Sequence, residues 1–230
     1  MSPYQGGSGG SGIVIIKYVN NSGNFSCGDA VSFGYGGSTV AYRSVLSAAG
    51  KCWLDRNLGA SRVANNCTDS DAYGDLFQWG RLADGHQFRN STNIETMSST
   101  DVPGHSSFIN SSTNPDWRSP ANDNLWQGVN GTNNPCPSGW RLPTSAEWDA
   151  EISAGSWTTT SVACASNMKM TLAGMRYHWG YLTWGVDGYG VYWASTVNGT
   201  AARQLLFGAD IARTQNYNRN YGMTVRCVKD

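Results

Sequence analysis

Charge is scarce in this chain. Only 14% of its 230 residues are Asp, Glu, Lys or Arg, and 16 basic side chains balance 16 acidic ones. A nucleic-acid binder usually carries a basic face or tail, so no nucleic acid is expected as a partner. Long apolar runs are missing as well. Nothing approaches the roughly 18 consecutive apolar residues of a membrane span, so no membrane insertion is expected. No basic segment followed by an apolar one opens the chain, which gives no sign of a signal peptide. Histidine is rare: His86, His105 and His178 are all there is, and no H-E-x-x-H spacing occurs. No G-x-S-x-G elbow announces a serine hydrolase. The cysteines Cys27, Cys52, Cys67, Cys136, Cys164 and Cys227 contain no C-x-x-C pair for zinc or redox work. Scattered buried thiols and one or two disulfides both fit their spacing. The missing signatures point to a protein that is not an enzyme, with no catalytic residue, metal or cofactor expected.

What the chain does have is glycine and large rings: 28 Gly, 10 Trp and 11 Tyr. At 24.8 kDa it is long for one domain but within range. A chain of this size buries roughly 70% of its unfolded surface, enough for a sizeable core. Met1–Gly12 has the Gly/Ser composition of a flexible linker and is expected to follow a fibre or stalk. Gly6–Gly12 has glycines like a phosphate loop but no lysine and no preceding strand. The β-branched run Ile13–Tyr18 reads as a strand opening a domain over 13–230.

Further on, Ala30–Phe33 and Ser38–Tyr42 alternate with period two around glycines. Cys52–Gly59 reads as a strand end and a loop. In Tyr73–Leu82 the spacing of Leu76, Trp79 and Leu82 predicts a helix. Residues 83–134 are rich in Ser, Thr, Asn, Gly and Pro, but Trp117 and Trp126 within them argue for an ordered, packed insertion. Thr144 followed by Glu147 is a capping box, so a short helix starts there with Trp148 and Ile152 on its buried side. After Gly155 helix signals fade, and 168–230 reads as short strands ending in an alternating Gly222–Val228.

The densest ring segment is Tyr177–Trp193, where seven of 17 residues are Tyr or Trp and four are Gly. Tyr192 and Trp193 lead into a regular strand and read as core. Tyr177, Trp179, Tyr181, Trp184 and Tyr189 follow neither a two-residue nor a 3.6-residue period, and the interleaved glycines favour loops. Rigid rings among small polar residues are the composition of paratopes, where they give large contact area at low entropic cost. His178, Asp187 and Val191 join them as candidate contacts. A hairpin over Ala202–Phe207 and Ile211–Gln215 adds a second candidate patch: Arg203, Leu205, Phe207, Ile211, Arg213 and Gln215. Alternating Arg203, Leu205 and Phe207 mixes charge with apolar groups, as a contact surface does. A core role for Leu205 and Phe207 is the equal alternative. His86, after Asp84-Gly85, reads as a structural hydrogen-bonder, and His105 as a loop residue.

Several long motifs carry a resemblance: Cys27-Gly28-Asp29, Trp53–Ala60, Tyr73–Arg81, Asn122–Trp126, Cys136–Thr144, Glu147-Trp148 and Gly222–Val228. Over roughly 25–230 the chain resembles the Fibrobacter-type major paralogous domain of the C-type-lectin-like superfamily, alongside the formylglycine-generating enzymes. The resemblance implies an α+β, C-type-lectin-like fold with short antiparallel strands, two short helices and long ordered insertions. That group includes variable proteins of diversity-generating retroelements, in which error-prone copying at adenines rewrites the end of the gene. On that pattern 175–221 is the variable ligand-binding region, and Asn216, Asn218 and Asn220 look like unaltered template codons. The implied function is a hypervariable receptor-binding protein for attachment to a host cell-surface protein or glycan. It would sit on a virion tail-fibre tip or a cell surface, possible oligomerisation on a fibre raising avidity. A formylglycine-generating-like enzyme using Cys164 and Cys227 and an invariant surface adhesin are the alternatives. Glu-Pro-Asn, Gln-Pro-Asp and Trp-Asn-Asp motifs are missing, which speaks against calcium-mediated sugar binding, although oxygen-rich loops could hold a structural Ca²⁺. Cys136 with Cys227 is the first pairing expected.

Overall fold

The computed structural model describes residues 25–179 and 183–230. The Met1–Gly12 linker and the Ile13–Tyr18 strand expected from the sequence lie outside the described residues, as does Tyr181. The described elements run β1 (Ala30–Tyr35), β2 (Ser38–Leu46), β3 (Cys52–Leu54), β4 (Phe77–Gln78), β5 (Asn93–Ile94), β6 (Phe108–Ile109) and β7 (Trp140–Arg141). Then come α1 (Ser145–Ala154), α2 (Thr160–Ala165), β8 (Met175–Arg176), β9 (Thr183–Trp184), β10 (Gly190–Asn198), β11 (Ala201–Phe207), β12 (Ala212–Asn218), β13 (Gly222–Met223) and β14 (Val228–Lys229). The class is α+β: sheet-rich, with two short helices among the described residues.

Strands pair in the order β1-β2-β3-β14-β7, β4-β13-β8-β9 and β10-β11-β12, with β5 and β6 as a small parallel pair. The last strand lies between β3 and β7, so the two ends of the described chain share one sheet. The β10-β11-β12 sheet separates two apolar clusters. On one face Tyr192, Leu205 and Phe207 pack with Trp53, Trp148 of α1, Trp157 and Met168. On the other, Val191, Trp193 and Leu206 pack with Trp79, Met223 and Val225. Strand alternation explains the split: Tyr192 pairs with Leu205 and Val191 with Leu206, and opposed residues share a face.

Capping sets α1 in place. Thr144 accepts from the Glu147 backbone at 3.2 Å while the Glu147 carboxylate accepts from the Thr144 N–H at 2.8 Å. Trp148 is fully buried and Ile152 half-buried. The insertion is ordered, as Trp117 and Trp126 foretell: both are fully buried, their indole N–H groups donating to Trp79 O and Asn133 O.

Three readings of local structure change. Tyr73–Leu82 is not a helix. Gly74 and Gly80 take φ of +66° and +87°, and Phe77 and Gln78 pair with β13. The spacing that mimicked a helical stripe belongs to a chain buried on all sides, with Leu76, Phe77, Gln78 and Trp79 all at 0% exposure. Beyond Gly155, α2 forms where helix signals had faded, tied by its Cys164 to Cys67. Finally, 222–228 is wholly buried rather than alternating, because it runs between β10 and the Asn57 loop.

All six cysteines are bridged: Cys27–Cys52, Cys67–Cys164 and Cys136–Cys227, with Cα–Cα separations of 5.6, 5.4 and 5.8 Å. Cys136 does meet Cys227, and the total exceeds the one or two bridges expected. The latter two close loops of 97 and 91 residues, each worth about 4–5 kcal/mol in the chain-entropy account. Three bridges and no free thiol fit maturation in an oxidising compartment. Among the described residues, no helix is long and apolar enough to cross a membrane.

Candidate functional site

The frame behind the ring segment is held by buried polar groups with backbone partners. Arg226 is 1% exposed and donates to Asn57 Oδ1, Leu54 O and Met168 O at 2.7–3.1 Å. Asn57 in turn donates to Ala72 O, Tyr73 O and Thr171 Oγ1. Gln78 donates to Ile109 O and Asn220 O. Arg219 lies 4.5 Å over the Trp79 ring and donates to Asp123 and to the Gly199 carbonyl. These contacts tie 54–81 to 219–226 without involving any ring of 177–189. At Gly174, φ is +64° and an added Cβ would sit 2.5 Å from Trp184 O, so only glycine lets β8 run against the 184–186 turn.

On that frame one face opens to solvent. Val191, Leu206 and Arg213 form one cross-strand row, and Trp193, Gln204 and Gln215 the next. Each row is buried on β10 and β11 and emerges on the edge strand β12: Val191 and Leu206 are buried while Arg213 is exposed. Tyr217 continues the same side of β12. It meets Tyr221 edge-on at 4.6 Å, and Tyr221 meets Tyr177 at 5.5 Å and His178 at 4.9 Å. His178 stacks on Trp179 at 4.8 Å. Burial and the neighbouring phenols push the Tyr217 hydroxyl up to about 12. Partial burial also holds the His178 imidazole below its ordinary value. At the other end Trp184 and Tyr189 stack at 4.9 Å with 12° between planes, and Tyr189 and Ile211 both approach Gly208.

The sequence candidates therefore separate. Trp179, Trp184 and Arg213 are exposed, the first two at 53% and 37%, and His178 and Gln215 are half-buried, whereas Tyr177, Tyr189 and Ile211 are half-buried and pack against the Trp193 cluster. Val191, Leu205 and Phe207 do not belong to the open face. They are 1%, 0% and 0% exposed, because Val191 is covered by the Trp193 cluster and the other two point at α1 and Trp157. Arg203 shares the α1 side with Leu205 and reaches Thr214 at 2.5 Å and Asn216 at 3.3 Å. Asp187 is exposed in a turn at φ +65°, and its carboxylate accepts from the Tyr73 hydroxyl. Tyr217, half-buried on the same side of β12, was not anticipated, nor was Tyr221, which is buried beneath it in the Trp193 cluster. Continuing the 213, 215 alternation by one step points to Tyr217; nothing local points to Tyr221.

His86 is fully buried, bonded to Asp84 Oδ1 at 2.6 Å through Nδ1 and accepting from Gln78 N at 3.0 Å through Nε2. Burial drives its pKa down to about 4, against the pull of Asp84. It is neutral, doubly engaged and has no nucleophile beside it, a structural hydrogen-bonder. Cys164 and Cys227 close separate bridges, so the thiol pair that a formylglycine-generating chemistry needs is not formed. Among the described residues no group of His, Cys, Asp or Glu is arranged to hold a metal ion. No family model, no curated protein and no solved structure matches this chain.

Proposed function

We propose that this chain is a binding protein of C-type-lectin-like architecture, a variable protein of a diversity-generating retroelement. It attaches its carrier, a virion tail fibre or a cell surface, to a protein or glycan on a host cell. The observation that carries the reading is the division between frame and face. Main-chain pairing of β10, β11 and β12 and the buried Arg226, Gln78 and Arg219 networks hold the backbone. Trp179, Trp184 and Arg213 are exposed and Gln215 half-buried, and none of the four belongs to those networks. A face of this kind can change side chains while its backbone stays put, which is what diversification by codon rewriting requires. Rings with polar tips supply contact area at small entropic cost. Several copies on one fibre would raise avidity by about 10² to 10⁴ where geometry lets them engage together.

The neighbouring DNA tests the diversification. A near-repeat of the stretch encoding 175–221, differing mainly at adenines and lying beside a reverse transcriptase gene, is the expected result. Identical codons for Tyr177, Trp179, Trp184 and Arg213 across sister genomes would contradict it and leave an invariant adhesin.

A further inference from the structure

The sheet β10-β11-β12 ends at β12, and among the described residues no strand pairs with its outer side. The register tells which backbone groups this leaves open. Gly208 N–H donates to Ile211 O at 2.8 Å, so these two form a hydrogen-bonded pair across the turn. Such pairs recur at every second residue: Leu206 with Arg213, Gln204 with Gln215 and Ala202 with Tyr217. The backbone groups of Ala212, Thr214 and Asn216 point the other way, off the sheet. The same alternation holds on the far side of the sheet, where Val191 O and Trp193 N–H turn away from β11 to meet Thr224. Asn218 closes the row, its carbonyl accepting from Tyr221 N at 3.3 Å. Among the described residues no backbone group meets the N–H or C=O of Ala212, Thr214 or Asn216.

An open edge invites a further strand, and native proteins usually blunt it with lysine, proline or a bulge. β12 has none of these. It reads ARTQNYN, and its register with β11 is unbroken over seven pairs. Its only charge, Arg213, is exposed on the ring side. The guanidinium donates to Gln215 Oε1 at 3.0 Å and forms no ion pair among the described residues. Asp149 accepts from the Thr214 hydroxyl at 2.9 Å, but on the opposite side, towards α1.

We propose that β12 is a docking edge for an extended, acidic segment of a protein partner, which adds to the sheet as one more strand. Main-chain bonds supply the affinity in this mode of recognition, and alternate side chains supply the choice. Partner residues opposite Arg213 and Gln215 place their side chains on the ring face, where a carboxylate finds Arg213 as its counter-charge. The proposal deepens the attachment reading and rests on it. It also meets a need of a changeable face. Backbone donors and acceptors stay when the side chains of Arg213 and Gln215 are exchanged, so part of the contact survives every rewriting.

The edge strand β1 supplies an internal control. Ser44 N–H donates to Asp29 O at 2.9 Å, and alternation from that pair turns Ala30, Ser32 and Gly34 outward in the same way. β1 belongs to another sheet and carries no charge.

The test is selection of random linear peptides on the full chain, followed by hydrogen exchange of the chain with a recovered peptide bound. Recovered peptides are expected to be rich in Asp and Glu, and binding should slow exchange at the Ala212, Thr214 and Asn216 amides. Asn216→Pro removes an outward N–H that the fold does not use. It should keep a Tm near the parent's and weaken binding about tenfold or more. Ser32→Pro makes the same change on β1 and should leave binding as it was. Recovery of no peptide, peptides poor in acid, unchanged exchange at the three amides, or equal binding by Asn216→Pro overturns the proposal. A dimer of the chain that Asn216→Pro dissolves also overturns it, since a second copy then occupies the edge. Exchange on the unaltered chain decides the matter even where a proline variant fails to fold. An adenine-directed near-repeat beside the gene, with the β12 amides indifferent to every peptide, removes the docking edge and leaves the attachment reading standing. Slowed amides with no near-repeat keep the edge and remove the diversification.

Discussion

Trp53, Trp79, Trp117, Trp126, Trp148 and Trp193 are all fully buried, whereas Trp179 and Trp184 are 53% and 37% exposed. Each of these six fully buried indoles also donates its N–H. Trp79, Trp117, Trp126, Trp148 and Trp193 donate to backbone carbonyls at 2.6–3.2 Å, and Trp53 to the Glu151 carboxylate. A buried indole that did not would leave an orphaned donor. The same side chain thus has two uses, separated by whether its polar edge is spent inside the protein. In the frame, tryptophan bolts one segment to another: Trp193 reaches Phe77 O and Trp79 reaches Ala194 O, a reciprocal pair linking β4 to β10. On the face it supplies area that solvent, or a partner, can use.

The comparison is broken most severely by opening the frame. Replacing Cys136 and Cys227 by Ala together is expected to cost about 4–5 kcal/mol, read as a lower midpoint in guanidinium unfolding. Trp193→Ala removes a core ring and its bond to Phe77 O, and is expected to cost about 3–5 kcal/mol, a drop of roughly 10 °C or more in Tm. If Trp193→Ala melted like the wild type, the division would be wrong at its centre.

A smaller effect within the frame is read by pH. Burial raises the Asp75 carboxyl to about 6, against the opposing pull of the Tyr35 hydroxyl and Arg89. Its unfolded value is about 4. The native state therefore binds a proton that the unfolded chain has already released. Stability from this group is present below about pH 4 and declines as pH rises to about 6, by roughly 3 kcal/mol. Glu147, held down to about 2 by the Arg141 guanidinium and the Thr144 N–H despite its burial, works in the opposite sense. Its contribution is lost as pH falls from about 4 to 2. Asp75→Asn should flatten the slope between pH 4 and 6 in a series of thermal melts. An unchanged slope would remove Asp75 from the account.

The smallest stability effect belongs to the face. Trp179→Ala should change stability by less than about 0.5 kcal/mol, as surface substitutions do, while the attachment proposed above is lost. A loss like that of Trp193→Ala would put the ring in the frame.

Features written in adjacent residues could be read from the sequence. Thr144 and Glu147 are three apart and make the capping box; β11 and β12 flank a short turn and pair in the expected sense. Tyr192 and Trp193 sit in an unbroken strand and are core. What failed was any inference that needed to know what covers a strand. Arg203, Leu205 and Phe207 alternate as expected, but α1 and Trp157 lie over the last two and stop short of the first. Tyr73–Leu82 carries a helical spacing that Gly74 and Gly80 override with left-handed backbone. Part of the face was legible because rings among glycines have few other uses. The loop Ser111–Pro115 beside it was not, because it meets His178 and Asn220 only in three dimensions.

The central claim is that the frame is indifferent to what the face carries. It is tested most directly by randomising Trp179, Trp184, Arg213 and Gln215 together and melting a sample of clones. Most clones should keep cooperative unfolding with Tm close to the parent. Loss of cooperative unfolding in most of them would show that these side chains hold the protein together, and would contradict the account.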